Sequence, residues 1–195
     1  MEYRVINIRE YGEEELHKWF SEADDQRREK ILRLRYTDDQ LRSLCADHLA
    51  RVMLAKQFHC DASALQFYRT ARGKPYLEGN PLHFNLSHSG DFVACAVDFS
   101  PIGIDIEAIR PVPPALCKKV CTAEELSYVY EKGEFSSLRF LLLWTAKEAA
   151  LKMRGLGIRP DLSAFPVMAN GRFFLPDCSF MQKQNERYVL TIAQK

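Results

Sequence analysis

Two stretches of this 195-residue chain hold side chains whose types and spacing suit chemistry. The first is Pro101-Ile102-Gly103-Ile104-Asp105-Ile106-Glu107. Isoleucine recurs at every second position, so the segment reads as a strand with Gly103, Asp105 and Glu107 on the face opposite the isoleucines. Two carboxylates on one face repel each other, and a divalent cation relieves that repulsion. Hard oxygen ligands of this kind suit Mg²⁺ held jointly with substrate phosphates; Mn²⁺ accepts the same ligands. Alone the pattern is weak, because Asp-x-Glu on a strand is usually a solvated face. The second stretch is Trp144-Thr145-Ala146-Lys147-Glu148-Ala149-Ala150-Leu151-Lys152. Trp144, Glu148 and Lys152 share one side of a helix. From the residues alone, Glu148 and Lys152 make an exposed ion pair contributing about 0.3–0.5 kcal/mol, and Trp144 anchors the helix by packing.

The elements that must position these groups belong to one compact globular unit, or to two small halves sharing a core, given 47% hydrophobic residues. A formal net charge of +1 argues against a nucleic-acid or membrane protein driven by global charge. No apolar run approaches the roughly 18 residues needed to span a bilayer. The start, Met1-Glu2-Tyr3-Arg4-Val5-Ile6, does not read as a signal peptide. The six cysteines make neither a CxxC pair nor a zinc spacing and read as reduced, mostly buried thiols of a cytoplasmic protein.

In chain order, Tyr3 to Ile8 reads as a strand and Glu13 to Phe20 as an amphipathic helix. Asp24 or Asp25 caps a further helix with a basic run: Arg27, Arg28, Lys30, Arg33 and Arg35. That run is either a solvated face or an anion site, since Arg27 and Lys30 share a face. Thr37-Asp38-Asp39-Gln40 predicts a capping box opening a long helix, with Leu41, Leu44, Cys45, Leu49 and Val52 buried and Arg42 off the stripe. Leu65 to Arg69 alternates like a strand, and Gly73 and Pro75 mark a turn presenting Lys74. His83 to Leu86 and Phe92 to Asp98 read as strands. Ser87-His88-Ser89-Gly90 between them reads as a polar turn, a good concave donor site for phosphate oxygens. After a Pro-rich linker at 110–114, Thr122-Ala123-Glu124-Glu125 predicts a second capping box, which gives Glu125 a structural job as the N3 partner. A helix is expected from Phe135 to Lys152, ended by Gly155 and Gly157. Phe165 to Ala169, Arg172 to Leu175 and Arg187 to Ala193 read as closing strands, with Asn170-Gly171 as a hairpin turn. No long-range repeat shows as sequence identity, though each half has helices and strands in similar proportion.

Four stretches together resemble the Sfp-type 4′-phosphopantetheinyl transferases: Gly73-Lys74-Pro75, Phe84-Asn85-Leu86-Ser87-His88-Ser89, the strand at 102–107, and the helix at 144–152. Their order and spacing carry the resemblance, which runs from the basic helix near Arg27 to about Val189. It implies an α+β (α/β-like) fold of two similar halves about a pseudo-twofold axis, each a small, mainly antiparallel sheet packed with helices, with coenzyme A in the cleft between them. It implies transfer of the phosphopantetheine arm of CoA onto a serine of an acyl or peptidyl carrier protein, releasing 3′,5′-ADP. The implied metal ligands are Asp105, Glu107 and Glu148. Lys74, Ser87, His88 and Ser89, with Arg27, Lys30 and Arg42, are implied to contact the CoA phosphates and adenine. Lys152 is placed to stabilise the departing phosphate, and Glu148 or Glu125 to take the serine proton. Residues 1–102 are expected to supply the CoA contacts, and 103–195 the Mg²⁺ and catalytic groups. A cytoplasmic monomer binding neither nucleic acid nor membrane is implied.

Cys121 departs from the family, which often has an aromatic residue before the Thr/Ser-x-x-Glu segment. The chain is also short for the class, implying absent C-terminal decoration. A Mg²⁺-dependent pyrophosphohydrolase and a non-catalytic carrier-binding module are the competing readings. The four-motif order opposes the first, and the set Asp105, Glu107, Glu148 and Lys152 opposes the second.

Overall fold

The computed structural model describes residues 1–69, 75–77, 79, 81–157 and 161–195. They divide into two compact units, Met1–Phe99 and Ser100–Lys195.

In the first unit, strand β1 (Glu2–Asn7) leads into helices α1 (Glu13–Glu22), α2 (Asp25–Leu32) and α3 (Thr37–Phe58). Then come the short strands β2 (Phe67–Arg69) and β3 (Pro75–Leu77), and the hairpin of β4 (His83–Ser89) and β5 (Phe92–Asp98). The sheet order is β1-β5-β4, all antiparallel. Helix α3 covers one face, so Cys45, Leu49 and Met53 meet Phe84, Val93 and Cys95 in a single buried core.

The second unit opens with β6 (Ile102–Ala108), followed by α4 (Cys117–Val120), α5 (Ala123–Val129) and the hairpin β7 (Tyr130–Glu131)–β8 (Glu134–Phe135). Helix α6 (Ser137–Met153) follows, then the hairpin β9 (Met168–Ala169)–β10 (Arg172–Phe173) and the pair β11 (Ser179–Gln184) and β12 (Tyr188–Gln194). Its sheet order is β11-β12-β6, again antiparallel, with α6 packed on β6 and β12. Both units therefore follow one plan: an edge strand, a long helix over the sheet, then two paired strands of which the second lies in the centre. The α+β fold of two similar halves is thus observed, the likeness lying in topology where no repeat shows in sequence.

Several local expectations need correction. Thr37 is the first residue of α3, not its cap, and Tyr36 occupies the cap position without a side-chain bond. The polar side chains there go elsewhere: Asp38 pairs with Arg9, Asp39 with Arg42, and Gln40 Nε2 donates to the Leu34 carbonyl. Residues 87–89 are not a turn, because β4 continues through them opposite Ala94, Val93 and Phe92; the turn is Gly90-Asp91, with Gly90 at φ 56°. Helix α6 starts at Ser137, where Ser136 caps it by accepting from the Arg139 amide. Strand β11 was not expected, since polar Gln182, Lys183 and Gln184 blur its alternation. The capping box at Thr122 and Glu125 and the Asn170-Gly171 turn, both residues at positive φ, are as expected.

Gly103 sets how closely α6 approaches β6. A Cβ there would lie 2.0 Å from the Ala149 carbonyl oxygen and 2.5 Å from the Met153 nitrogen, both backbone atoms of α6. Neither can swing aside as a side chain does. Gly103→Ala is therefore expected to cost at least the 1–3 kcal/mol typical of overpacking, read as a lowered denaturation midpoint; an unchanged midpoint would refute this close approach.

Candidate functional site

The close seating of α6 on β6 brings two lone motifs together. Asp105 lies in the middle of β6 opposite Thr191 of the central strand, and Glu107 two residues on lies opposite Val189. Lys152, in the last turn of α6, reaches across to Asp105: its Nζ stands 2.7 Å from Asp105 Oδ1 and 3.2 Å from the Ile104 carbonyl oxygen. The exposed setting expected for Glu148 and Lys152 is thus corrected. Glu148 is only 4% exposed, and the recorded carboxylate partner of Lys152 is Asp105. Burial pushes the Glu148 carboxyl above its ordinary value; the charges of Asp105 and Glu107 add to the rise and Lys152 opposes it. Glu148 Oε1 is buried and has no hydrogen-bond partner among the described residues. An ionised carboxylate in that position calls for a cation.

Glu125 stands in a different network. It is completely buried. Oε2 accepts from the Thr122 amide at 2.7 Å and faces Lys147 Nζ at 2.7 Å, while Oε1 accepts from the Val167 amide at 2.9 Å. Lys147 is equally buried and also donates to the carbonyls of Leu162 and Phe165, at 2.9 and 2.8 Å. Burial lowers its pKa below the usual lysine value, against the opposing pull of Glu125. Sequence reasoning passed over Lys147, although a lysine beside Ala146, Ala149 and Ala150 on a buried helix face was a visible signal. Trp144 packs against the core of this unit and against Phe140, as expected of an anchor.

The first unit holds the basic groups. Arg27 and His88 line one cleft of about 210 Å³, together with Ser43, Asp47 and the apolar Phe67 and Phe84. Arg27 and Asp47 also line a larger, adjoining cleft of about 610 Å³, where Lys30, Arg33 and Arg51 join them. Arg42 is half-buried and tied to the β4–β5 turn, donating to the Gly90 carbonyl at 2.8 Å and pairing with Asp39 at 2.6 Å. Ser87 is buried in β4, while His88 is exposed and Ser89 intermediate. Lys74 lies outside the described residues.

The donor set was tested against the expected divalent cation. Among the described residues no three carboxylate, histidine or cysteine side chains form a ready-made cage. The chemistry nevertheless fits: Asp105 and Glu107 lie near enough to raise the Glu148 carboxyl, and that group presents a buried oxygen without a hydrogen-bond partner among the described residues.

Comparison with known proteins decides the family. A profile described as 4′-phosphopantetheinyl transferase superfamily matches residues 101–193, and one described as 4′-phosphopantetheinyl transferase, N-terminal, matches residues 12–100. The 4′-phosphopantetheinyl transferase Sfp of Bacillus subtilis (strain 168) is 34% identical over 85% of this chain and 75% of its own length. The chain belongs to the 4′-phosphopantetheinyl transferases. Another 4′-phosphopantetheinyl transferase of Bacillus subtilis is 35% identical over 80% of this chain and 70% of its own. A third, psf-1 of Bacillus pumilus, is 37% identical over 68% and 58% respectively. The protein is a transferase that moves phosphopantetheine. Among its described residues no helix is long and apolar enough to cross a membrane.

Proposed function

We propose that this transferase takes the 4′-phosphopantetheine group from coenzyme A and places it on a serine hydroxyl of an acyl or peptidyl carrier protein, with Mg²⁺ required. The observation that carries this reading is the meeting of Asp105, Glu148 and Lys152 at the β6–α6 contact, with a buried Glu148 oxygen that has no hydrogen-bond partner among the described residues. Asp105, Glu107 and Glu148 would hold the metal. When bound, Mg²⁺ neutralises the pyrophosphate oxygens of CoA, and Mn²⁺ accepts the same ligands.

The chain's own groups supply the remaining work, which in phosphoryl transfer is chiefly positioning and charge stabilisation. In the N-terminal part of the chain, residues 1–102, Arg27, Lys30 and Arg42 with Lys74, Ser87, His88 and Ser89 take the phosphates and adenine of CoA. Residues 103–195 carry the chemistry. The serine oxygen forms a bond to the phosphorus bearing the pantetheine arm, and the bond from that phosphorus to the bridging oxygen breaks. The serine proton passes to Glu148, directly or through water. Glu125, with both oxygens engaged in the fold, orients α5 and the loop at Val167. Lys152 stabilises the negative charge that develops on departing 3′,5′-ADP.

Lys152→Ala is therefore expected to lower kcat by about 100-fold, the typical cost of one transition-state donor, with little change in CoA affinity. A change confined to affinity would remove Lys152 from the leaving-group role. The whole reading is tested by mass spectrometry of an apo carrier protein incubated with the enzyme, CoA and Mg²⁺. One added phosphopantetheine, abolished by EDTA, supports it. No addition to acyl or peptidyl carriers, with CoA intact, overturns it.

A further inference from the structure

We infer that Asp47 is a positioning residue for coenzyme A: it holds the Arg27 guanidinium in the orientation that receives a phosphate. The inference rests on the reading that this unit binds CoA.

Asp47 sits near the middle of α3, on the side facing α2, and is 8% exposed. A carboxylate buried so far needs partners. Its Oδ1 lies 3.2 Å from Arg27 Nε, and its Oδ2 accepts from Arg51 Nε at 2.8 Å. Arg51 is itself immobilised. It donates to the Leu65 carbonyl at 2.8 Å, lies over the Phe67 ring with 4.8 Å to the centroid, and has Asp24 at 3.5 Å. Arg51 therefore anchors Asp47, and Asp47 anchors Arg27. Arg27 is held from a second side by Ser43, whose hydroxyl accepts from Nη2 at 2.9 Å.

The geometry distinguishes this arrangement from a simple fold-stabilising pair. Arg27 and Asp47 each line both of the adjoining clefts described above, and the smaller one is otherwise walled largely by apolar side chains and His88. A freely mobile arginine loses side-chain entropy when it is fixed on an anion. Fixing it beforehand on a buried carboxylate removes that cost from the binding step. The carboxylate also lessens the positive field, so Asp47 is expected to trade some attraction for orientation. Its effect should appear in CoA affinity and not in the chemical step.

The test is isothermal titration of CoA into the full chain together with steady-state kinetics, for Asp47→Asn, Arg27→Ala and the double variant. Asn keeps the size and one acceptor while removing the charge. The expected result is CoA affinity about tenfold weaker in Asp47→Asn, with kcat within about twofold, the lower end of the scale for one close charge pair lost. The Asp47→Asn effect should vanish when Arg27 is already alanine, because the two act as one unit. Arg27→Lys, which keeps the charge and loses the fork, should weaken CoA to a similar extent and serves if Asp47→Asn fails to fold. Unchanged CoA affinity in Asp47→Asn and Arg27→Lys, equal losses with and without Arg27, or a fall in kcat alone would each overturn the inference. If wild-type protein binds no CoA, the functional reading itself fails, an outcome distinct from these.

Discussion

Replacing Lys147 by methionine is expected to cost about 3–5 kcal/mol of stability. Lys147 is fully buried, and its ammonium has three partners for its three donors: Glu125 Oε2 and the carbonyls of Leu162 and Phe165. Methionine fills the volume and leaves Glu125 as a buried carboxylate without its counter-charge. Removing one partner of a buried pair costs this much because the remaining charge is uncompensated. Two carbonyls lose their donor as well. Glu125→Gln alone leaves the ammonium without a counter-ion and should also be costly. The double variant Lys147→Met/Glu125→Gln should recover at least about 1 kcal/mol relative to the sum of the singles, since neither charge then stays behind. Chemical denaturation of the three variants measures this. A Lys147→Met variant within about 0.5 kcal/mol of wild type, the usual range for an exposed substitution, would show that this ammonium does not clamp α5 and the 162–167 segment to α6.

The contrast between Lys147 and Glu148 shows what the sequence could and could not convey. The helix, its spacing and its chemistry-bearing side were legible, because period-3.6 reading places Trp144, Glu148 and Lys152 together. What the adjacent Lys147 does on the interior side of the helix was not legible. That depends on α5 and the 162–167 segment, which pack on α6 from distant parts of the chain. Likewise the alternation at 102–107 placed Asp105 and Glu107 correctly on one face. That this face lies under a helix followed only from Gly103, whose missing Cβ admits the α6 backbone. At the N-terminal cluster the basic residues were legible as candidates, whereas nothing in the sequence singled out Asp47, the buried carboxylate that pairs with Arg27 and Arg51. Errors in local structure fell where a polar side chain had a competing tertiary partner. Asp38 and Asp39 pair with arginines from outside the first turn of α3 or later in it, and β4 runs on through Ser87 and His88 because Ala94 and Val93 pair with them. Local propensity names the options, and long-range packing selects among them.

Glu148→Gln should separate function from stability more cleanly than any other change. The substitution preserves shape and removes one negative charge from the group formed with Asp105 and Glu107. As a proposed metal ligand and proton acceptor, Glu148 should be indispensable to turnover. A loss of about 1000-fold or more in carrier modification is expected, the upper range for removing one preorganised electrostatic group. Stability should move the other way. In the metal-free protein the Glu148 charge is disfavoured first by burial and then by Asp105, with Lys152 compensating only in part. The folded-state pKa is therefore above the unfolded one, so the folded form binds more protons across the carboxylate range and wild-type stability falls as pH rises through it. Glutamine does not titrate and escapes that loss. With EDTA present, the variant should equal or exceed the wild type in denaturation midpoint at neutral pH. Its advantage should shrink as the pH is lowered through the carboxylate range. Such a trade of stability for activity is what a strained charged site predicts. Near-normal transfer by Glu148→Gln would sink the proposed metal site. A variant that is inactive and also much less stable at neutral pH would show that the Glu148 carboxylate holds the fold together and is not strained.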